Sequence, residues 1–154
     1  MTIAAIQSAQ FNVYLRMDGR DVTKAEAGGS GIVNCQYEIA PWELFEISVP
    51  DTDGAVTIAS VSFPNVYLRM DARAAAQFGA GGGGTVNCQY GAGPWEKFRL
   101  EEQPDGTVLI GSFPFAGAYL RIDGRGIDAV EPHGGIVNCQ TRPGPWERVR
   151  LIRQ

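Results

Sequence analysis

Histidine occurs once in this sequence, at position 133, and no apolar run approaches the roughly 18 residues a membrane-spanning helix needs. The amino terminus, Met-Thr-Ile-Ala-Ala-Ile, has neither a basic start nor an apolar segment ending in a small-residue cleavage site. As written, the chain is therefore expected to stay in the cytoplasm, and to act outside the cell only as a module of a larger chain or by non-classical export. Charge is sparse: 19% of the 154 residues are Asp, Glu, Lys or Arg, with a net charge of −4. A protein without a basic excess lacks the electrostatic footprint of a duplex binder, so nucleic acid is not an expected partner. His133 has no equivalent elsewhere in the chain, no nucleophile–base pair is placed by motif, and the run Gly81 to Gly84 lacks the Lys-Ser/Thr of a phosphate loop. No catalysis, cofactor or metal is expected. Three cysteines, Cys35, Cys88 and Cys139, cannot pair fully within the chain and lie too far apart for Cys-x-x-Cys zinc chemistry, so they read as small buried hydrophobes in strands.

What the sequence does contain is one unit written three times. Asn12-Val-Tyr-Leu-Arg-Met-Asp-Gly-Arg20 returns as Asn65-Val-Tyr-Leu-Arg-Met-Asp-Ala-Arg73 and as Gly117-Ala-Tyr-Leu-Arg-Ile-Asp-Gly-Arg125. Val-Asn-Cys-Gln follows at Val33, Val86 and Val137, and Pro-Trp-Glu at Pro41, Pro94 and Pro145. Tyr14, Tyr67 and Tyr119 are 53 and 52 residues apart, so units of about 1–53, 54–105 and 106–154 fill a single domain. Each unit holds four short strand candidates bounded by turn residues; in the second these run near 56–62, 65–71, 84–89 and 96–101. Helical periodicity is absent between them. Twelve strands in three units around an axis close a barrel capped by hairpins, an all-β fold of the β-trefoil type. A three-bladed propeller is the formal alternative, but propellers typically have at least four blades.

Strand alternation separates the faces. Val66, Leu68 and Met70 share the core face, with Val86, Cys88, Phe98 and Leu100. Tyr67, Arg69 and Asp71 then point outward, with Asn87 and Gln89, and Trp95 joins Lys97 and Arg99. By repetition the same holds for Tyr14, Arg16, Asp18, Asn34, Gln36 and Trp42, and for Tyr119, Arg121, Asp123, Asn138, Gln140 and Trp146. The plain alternative is a Trp packed over the barrel rim with Arg and Asp in surface ion pairs. Three equivalent sets favour a binding role. Glu43, Glu96 and Glu147 fall on the core face beside a Pro turn, where a carboxylate could cap backbone N–H groups or reach a ligand hydroxyl; both readings stand.

The string Gly93-Pro-Trp-Glu-Lys-Phe-Arg-Leu100, with Tyr-Leu-x-x-Asp upstream, resembles the fascin-like β-trefoil repeat; Ala40 replaces the Gly in the first unit and Val149 the Phe in the third. That resemblance covers all three units and implies fold more specifically than function. One branch contains actin-bundling fascins, which implies a protein-interaction module as the alternative function. The other contains trefoil lectins and the family 92 carbohydrate-binding modules, similar in having one glycan site per repeat built around a Trp and a carboxylate. By position it implies sites at Trp42 with Glu43, Trp95 with Glu96 and Trp146 with Glu147. The expectation is a non-catalytic binder of oligo- or polysaccharide, β-glucans among the candidates, with up to three sites acting by avidity.

Overall fold

The computed structural model describes all 154 residues. Alternation drives the local structure: β6 (Val66–Asp71) buries Val66, Leu68 and Met70, and its hairpin partner β7 (Thr85–Tyr90) buries Val86 and Cys88. Equivalent hairpins join β2 (Tyr14–Asp18) to β3 (Ile32–Gln36), and β10 (Tyr119–Asp123) to β12 (Ile136–Gln140). The barrel strands are β1 (Thr2–Ser8), β4 (Phe45–Ile47), β5 (Ile58–Ser60), β8 (Phe98–Glu102), β9 (Val108–Ser112) and β13 (Arg148–Arg153). They pair β1–β4–β5 and β8–β9–β13–β1, and reciprocal backbone bonds between Val56 and Phe98 (both 2.9 Å) bring the β5 and β8 sides together. The ring closes: six strands make the barrel and three hairpins cap it.

A thirteenth strand, β11 (His133–Gly134), goes beyond the twelve expected. It is the longest version of a contact every unit makes, since Gly134 pairs Cys35, Ser30 pairs Cys88 and Gly83 pairs Cys139. The long loop inside each hairpin thus crosses to the third strand of the next unit. One continuous core of 27 buried side chains runs through barrel and cap. Phe45, Phe98 and Val149 hold equivalent places in it, and so do Leu15, Leu68 and Leu120, all fully buried. The three cysteines are free and fully buried, and burial pushes each thiol up to about 12. No helix is long and apolar enough to cross a membrane.

Candidate functional site

Each Pro-Trp-Glu sequence forms a turn of 3-10 helix, at Pro41–Glu43, Pro94–Glu96 and Pro145–Glu147. Proline suits the first position, where its missing N–H would have no partner anyway. The glutamate closes the turn on itself: Glu43 N–H donates to Ala40 O (3.0 Å) while Ala40 N–H donates to Glu43 Oε1 (2.8 Å). Gly93 N–H to Glu96 Oε1 (2.8 Å) and Gly144 N–H to Glu147 Oε1 (2.7 Å) repeat it. The capping reading of these glutamates therefore holds. They are 1%, 4% and 4% exposed, and burial pushes their carboxyls above the ordinary range, opposed by the cap bond and by Arg16, Arg69 and Arg121. No protein donor reaches the second oxygen, Oε2. No fully buried polar side-chain atom of the molecule lacks a partner, so Oε2 keeps at least a narrow exposure, on a residue that lines the groove.

The same turn breaks the strand alternation that was expected to carry Trp95 onto the face of Lys97 and Arg99. Instead Lys97 pairs with Asp51 (3.2 Å), Arg99 lies over Phe113 (4.5 Å), and the three tryptophans settle half-buried at the junction of barrel and cap. Trp42 has the Arg16 and Arg20 guanidinium carbons each 4.9 Å from its ring centre, and Phe63 against it at 5.3 Å. Trp95 has Arg69 and Arg73 at 4.9 Å with Phe115 at 5.3 Å. Trp146 has Arg121 at 4.6 Å, Arg125 at 4.9 Å and Phe11 at 5.0 Å.

The outward polar set needs correcting. Arg69, Arg121, Asp18, Asp123 and Gln140 are buried, and Arg16 and Asp71 half-buried, because the indoles and the crossing loops cover them. Each of the first arginines donates to its neighbour's amide: Arg16 Nη1 to Asn34 Oδ1 (3.1 Å), Arg69 to Asn87 (3.2 Å) and Arg121 to Asn138 (3.3 Å). Each aspartate receives a two-pronged guanidinium, as in Arg20 Nε to Asp18 Oδ1 (3.0 Å) and Nη2 to Oδ2 (2.8 Å). That hydrogen bond holds the Asp18 carboxyl below its ordinary value, and Arg73 and Arg125 do the same for Asp71 and Asp123. The amides also fasten the crossing loops. Asn87 Nδ2 donates to Gly28 O (3.0 Å) and Gln89 Nε2 to Glu26 O (2.6 Å); Asn138 and Gln140 hold Gly81 O (3.1 Å) and Gly79 O (3.0 Å). Tyr14, Tyr67 and Tyr119 lie apart from the tryptophans, facing Gln7, Ala59 and Gly111 across the barrel–hairpin junction.

A groove of about 240 Å³ borders Trp42, one of about 240 Å³ Trp95, and one of about 200 Å³ Trp146. Each is lined by the Arg, Gln, Pro, Trp and Glu of its own unit. Each also receives one residue from the crossing loop of the preceding unit: His133, Ala27 and Ala80 in turn. The phenyl against each indole comes from the following unit, set by a serine turn in which Phe11, Phe63 and Phe115 N–H donate to Ser8, Ser60 and Ser112 Oγ (3.0, 2.9 and 3.0 Å). Every groove is thus assembled from all three units. The sequence reading missed Arg20, Arg73 and Arg125 and the three phenylalanines, although Ser-x-x-Phe recurs once per unit at a fixed place.

No family model matches the chain, and no curated protein does. Solved structures do. The designed threefold-symmetric protein ThreeFoil superposes with a TM-score of 0.68 at 15% identity, covering 97% of both chains. SeviL, solved bound to the asialo-GM1 saccharide, does so at 0.69 and 15%, covering 99% of this chain and 97% of its own. A GlcNAcα1-4Gal-releasing endo-β-galactosidase from Clostridium perfringens gives 0.66 at 9% identity, and there the chain spans 33% of the enzyme. At such identities the likeness is one of architecture, and with the closed barrel and three capping hairpins it makes this chain a β-trefoil.

Proposed function

We propose that the chain is a non-catalytic carbohydrate-binding protein whose three grooves each take one sugar and act together on a polymer. The observation that carries this is an indole fixed beside a half-free carboxylate in three equivalent grooves. A pyranose offers C–H groups and a rim of hydroxyls. Trp and Pro border the first, while Glu Oε2 accepts from the second and the guanidinium donates. Volumes of 200 to 240 Å³ fall below the roughly 300 Å³ at which pockets for drug-sized ligands begin, and suit a single ring. One carboxylate lines each groove, whereas glycoside hydrolysis needs a pair across the scissile bond. A saccharide-bound protein among those sharing the fold supports the reading. So does the Pro-Trp-Glu turn, which resembles the fascin-like repeat and the family 92 carbohydrate-binding modules; kinship with that lectin branch is part of the proposal.

A shallow site of this kind gives about millimolar affinity, near −4 kcal/mol. Engaging two or three grooves on one chain adds roughly 10²–10⁴. The test is a glycan array together with retention on insoluble β-glucan, run beside cosedimentation with actin filaments. Trp42→Ala, Trp95→Ala and Trp146→Ala combined, with folding checked by thermal melting, is expected to abolish retention. A folded triple variant that still binds glycan fully, or filament binding with a silent array, refutes the reading.

A further inference from the structure

Around Trp146 the groove does not end as its counterparts do. A cleft of about 540 Å³ opens alongside and shares Ala80, Gln140 and Arg142 with it. The Trp42 and Trp95 grooves share no lining residue with that cleft. Two departures from the repeat accompany it. Where the first and second units carry Tyr37 and Tyr90, the third has the shorter Thr141, which lines the cleft. The loop crossing from the second unit contains Ala74-Ala75-Ala76 and folds a turn of 3-10 helix, Ala75–Gln77, that neither other crossing loop has. One wall is therefore methyl groups and backbone with the half-buried Phe78. Gln140 Nε2 pins that wall by donating to Gly79 O (3.0 Å) and Ala80 O (3.4 Å).

Arg142 stands where groove and cleft meet, at the position held by Glu38 and Gly91 in the other units. It is exposed and takes part in none of the molecule's seven ion pairs. Every other residue lining the cleft is uncharged. A free guanidinium fork against an otherwise neutral, part-apolar wall matches a planar carboxylate.

We infer that the third site is a two-subsite cleft that reads a stretch of glycan, with a hexuronate residue beside the Trp146-bound sugar and its carboxylate on Arg142. This rests on reading the grooves as sugar sites. The remaining grooves hold one ring each, so chain length and acidity are read at one site in three.

The three indole N–H signals of the intact protein report the grooves separately by NMR. Titrations would use glucose, a neutral β-glucan tetrasaccharide, and a tetrasaccharide of the same length carrying one glucuronate. The Trp146 signal is expected to respond to the neutral tetrasaccharide at least about tenfold more tightly than to glucose, and more tightly again to the acidic one, while Trp42 and Trp95 discriminate little by length. Thr141→Tyr is expected to bring the third site's tetrasaccharide-to-glucose ratio down to that of the others, and Arg142→Gly to remove its preference for the acid. That preference should also fade with added salt. Equal responses to chain length at all three indoles would overturn the inference while leaving the sugar sites standing. An acid preference that survives Arg142→Gly would overturn the role of that residue. If no indole responds to any of the glycans, the grooves are not sugar sites and both readings fall.

Discussion

Trp42 carries two guanidinium groups 4.9 Å from its ring centre, and Arg20, the second of them, is itself clamped by Asp18. Cation–π contacts from both arginines hold the ring in one orientation, so what faces the groove is preformed. The adjacent carboxyls titrate in opposite senses. Asp18, Asp71 and Asp123 lie below their ordinary 3.8, so the stability they lend is present above that value and lost as pH falls through their lowered folded-state values. Glu43, Glu96 and Glu147 lie above their ordinary 4.5. Their protonated form is favoured in the fold, so their contribution is complete below 4.5 and is lost as pH rises through the folded-state values. Glu→Gln at all three positions keeps an acceptor for the cap and removes the titration. Thermal melts should show the variant gaining on the parent as pH rises from 4 toward 7; a constant offset across that range would contradict the assignment. On the proposed reading the same carboxylates would act in the groove as ionised acceptors, so glycan retention should weaken on acidification while circular dichroism still reports a folded chain.

At the scale of elements, the hairpins were legible in the sequence because apolar residues alternate through Val66–Asp71 and Thr85–Tyr90. Burial follows that period as far as Gln89 in the second strand and departs from it in the first only at Arg69, which the Trp95 indole covers. The capping tetrapeptide was legible only in part. A Pro turn that rewinds as 3-10 helix shifts the phase of everything before it, so Trp95 could not be placed by counting from Phe98. Contacts between units were not legible at all, since nothing within one repeat says that Ala27 will reach Trp95 or Phe63 will cover Trp42. One trace of those contacts does survive as glycine. Gly31, Gly84 and Gly135 precede the third strand of each unit with φ of 73°, 70° and 75°. A Cβ on Gly84 would sit 2.5 Å from Asp71 O and 3.1 Å from Cys139 Sγ, so the loop could not close onto the neighbouring unit. Left-handed backbone costs a side-chain-bearing residue about 1–2 kcal/mol, and the clash with a main-chain oxygen adds to it. Gly84→Ala should therefore destabilise by more than about 2 kcal/mol in denaturant titrations. Gly28→Ala, in open space with no such backbone, should change stability by less than about 0.5 kcal/mol. Similar losses in the two variants would mean that the crossing loop is not held as described. The positive φ at Asn12, Asn65 and Gly117 follows the same logic and explains why only Asn or Gly opens the repeated motif.

For the whole molecule, the arrangement of grooves around one pseudo-threefold axis sets how binding scales with number. Each groove draws a phenyl from the following unit and a loop residue from the preceding one, so the three stand or fall with a rigid scaffold, and the distance between them is fixed. If the grooves bind sugar as proposed, rigid spacing would let a second groove engage the same polymer without ordering a linker, which raises the effective concentration. Inactivating one groove with Trp95→Ala should leave two that still cooperate, and retention on insoluble glucan should fall by no more than about tenfold. Inactivating a second groove removes cooperation altogether, and the remaining affinity should drop by roughly 10²–10⁴ toward that of a single sugar. Agglutination of glycan-coated particles should follow a sharper rule, present with three or two working grooves and absent with one. Thermal melts of each variant separate lost grooves from lost fold. A single-groove variant that still agglutinates, with size-exclusion chromatography showing it monomeric, would mean that the grooves are not the points of attachment.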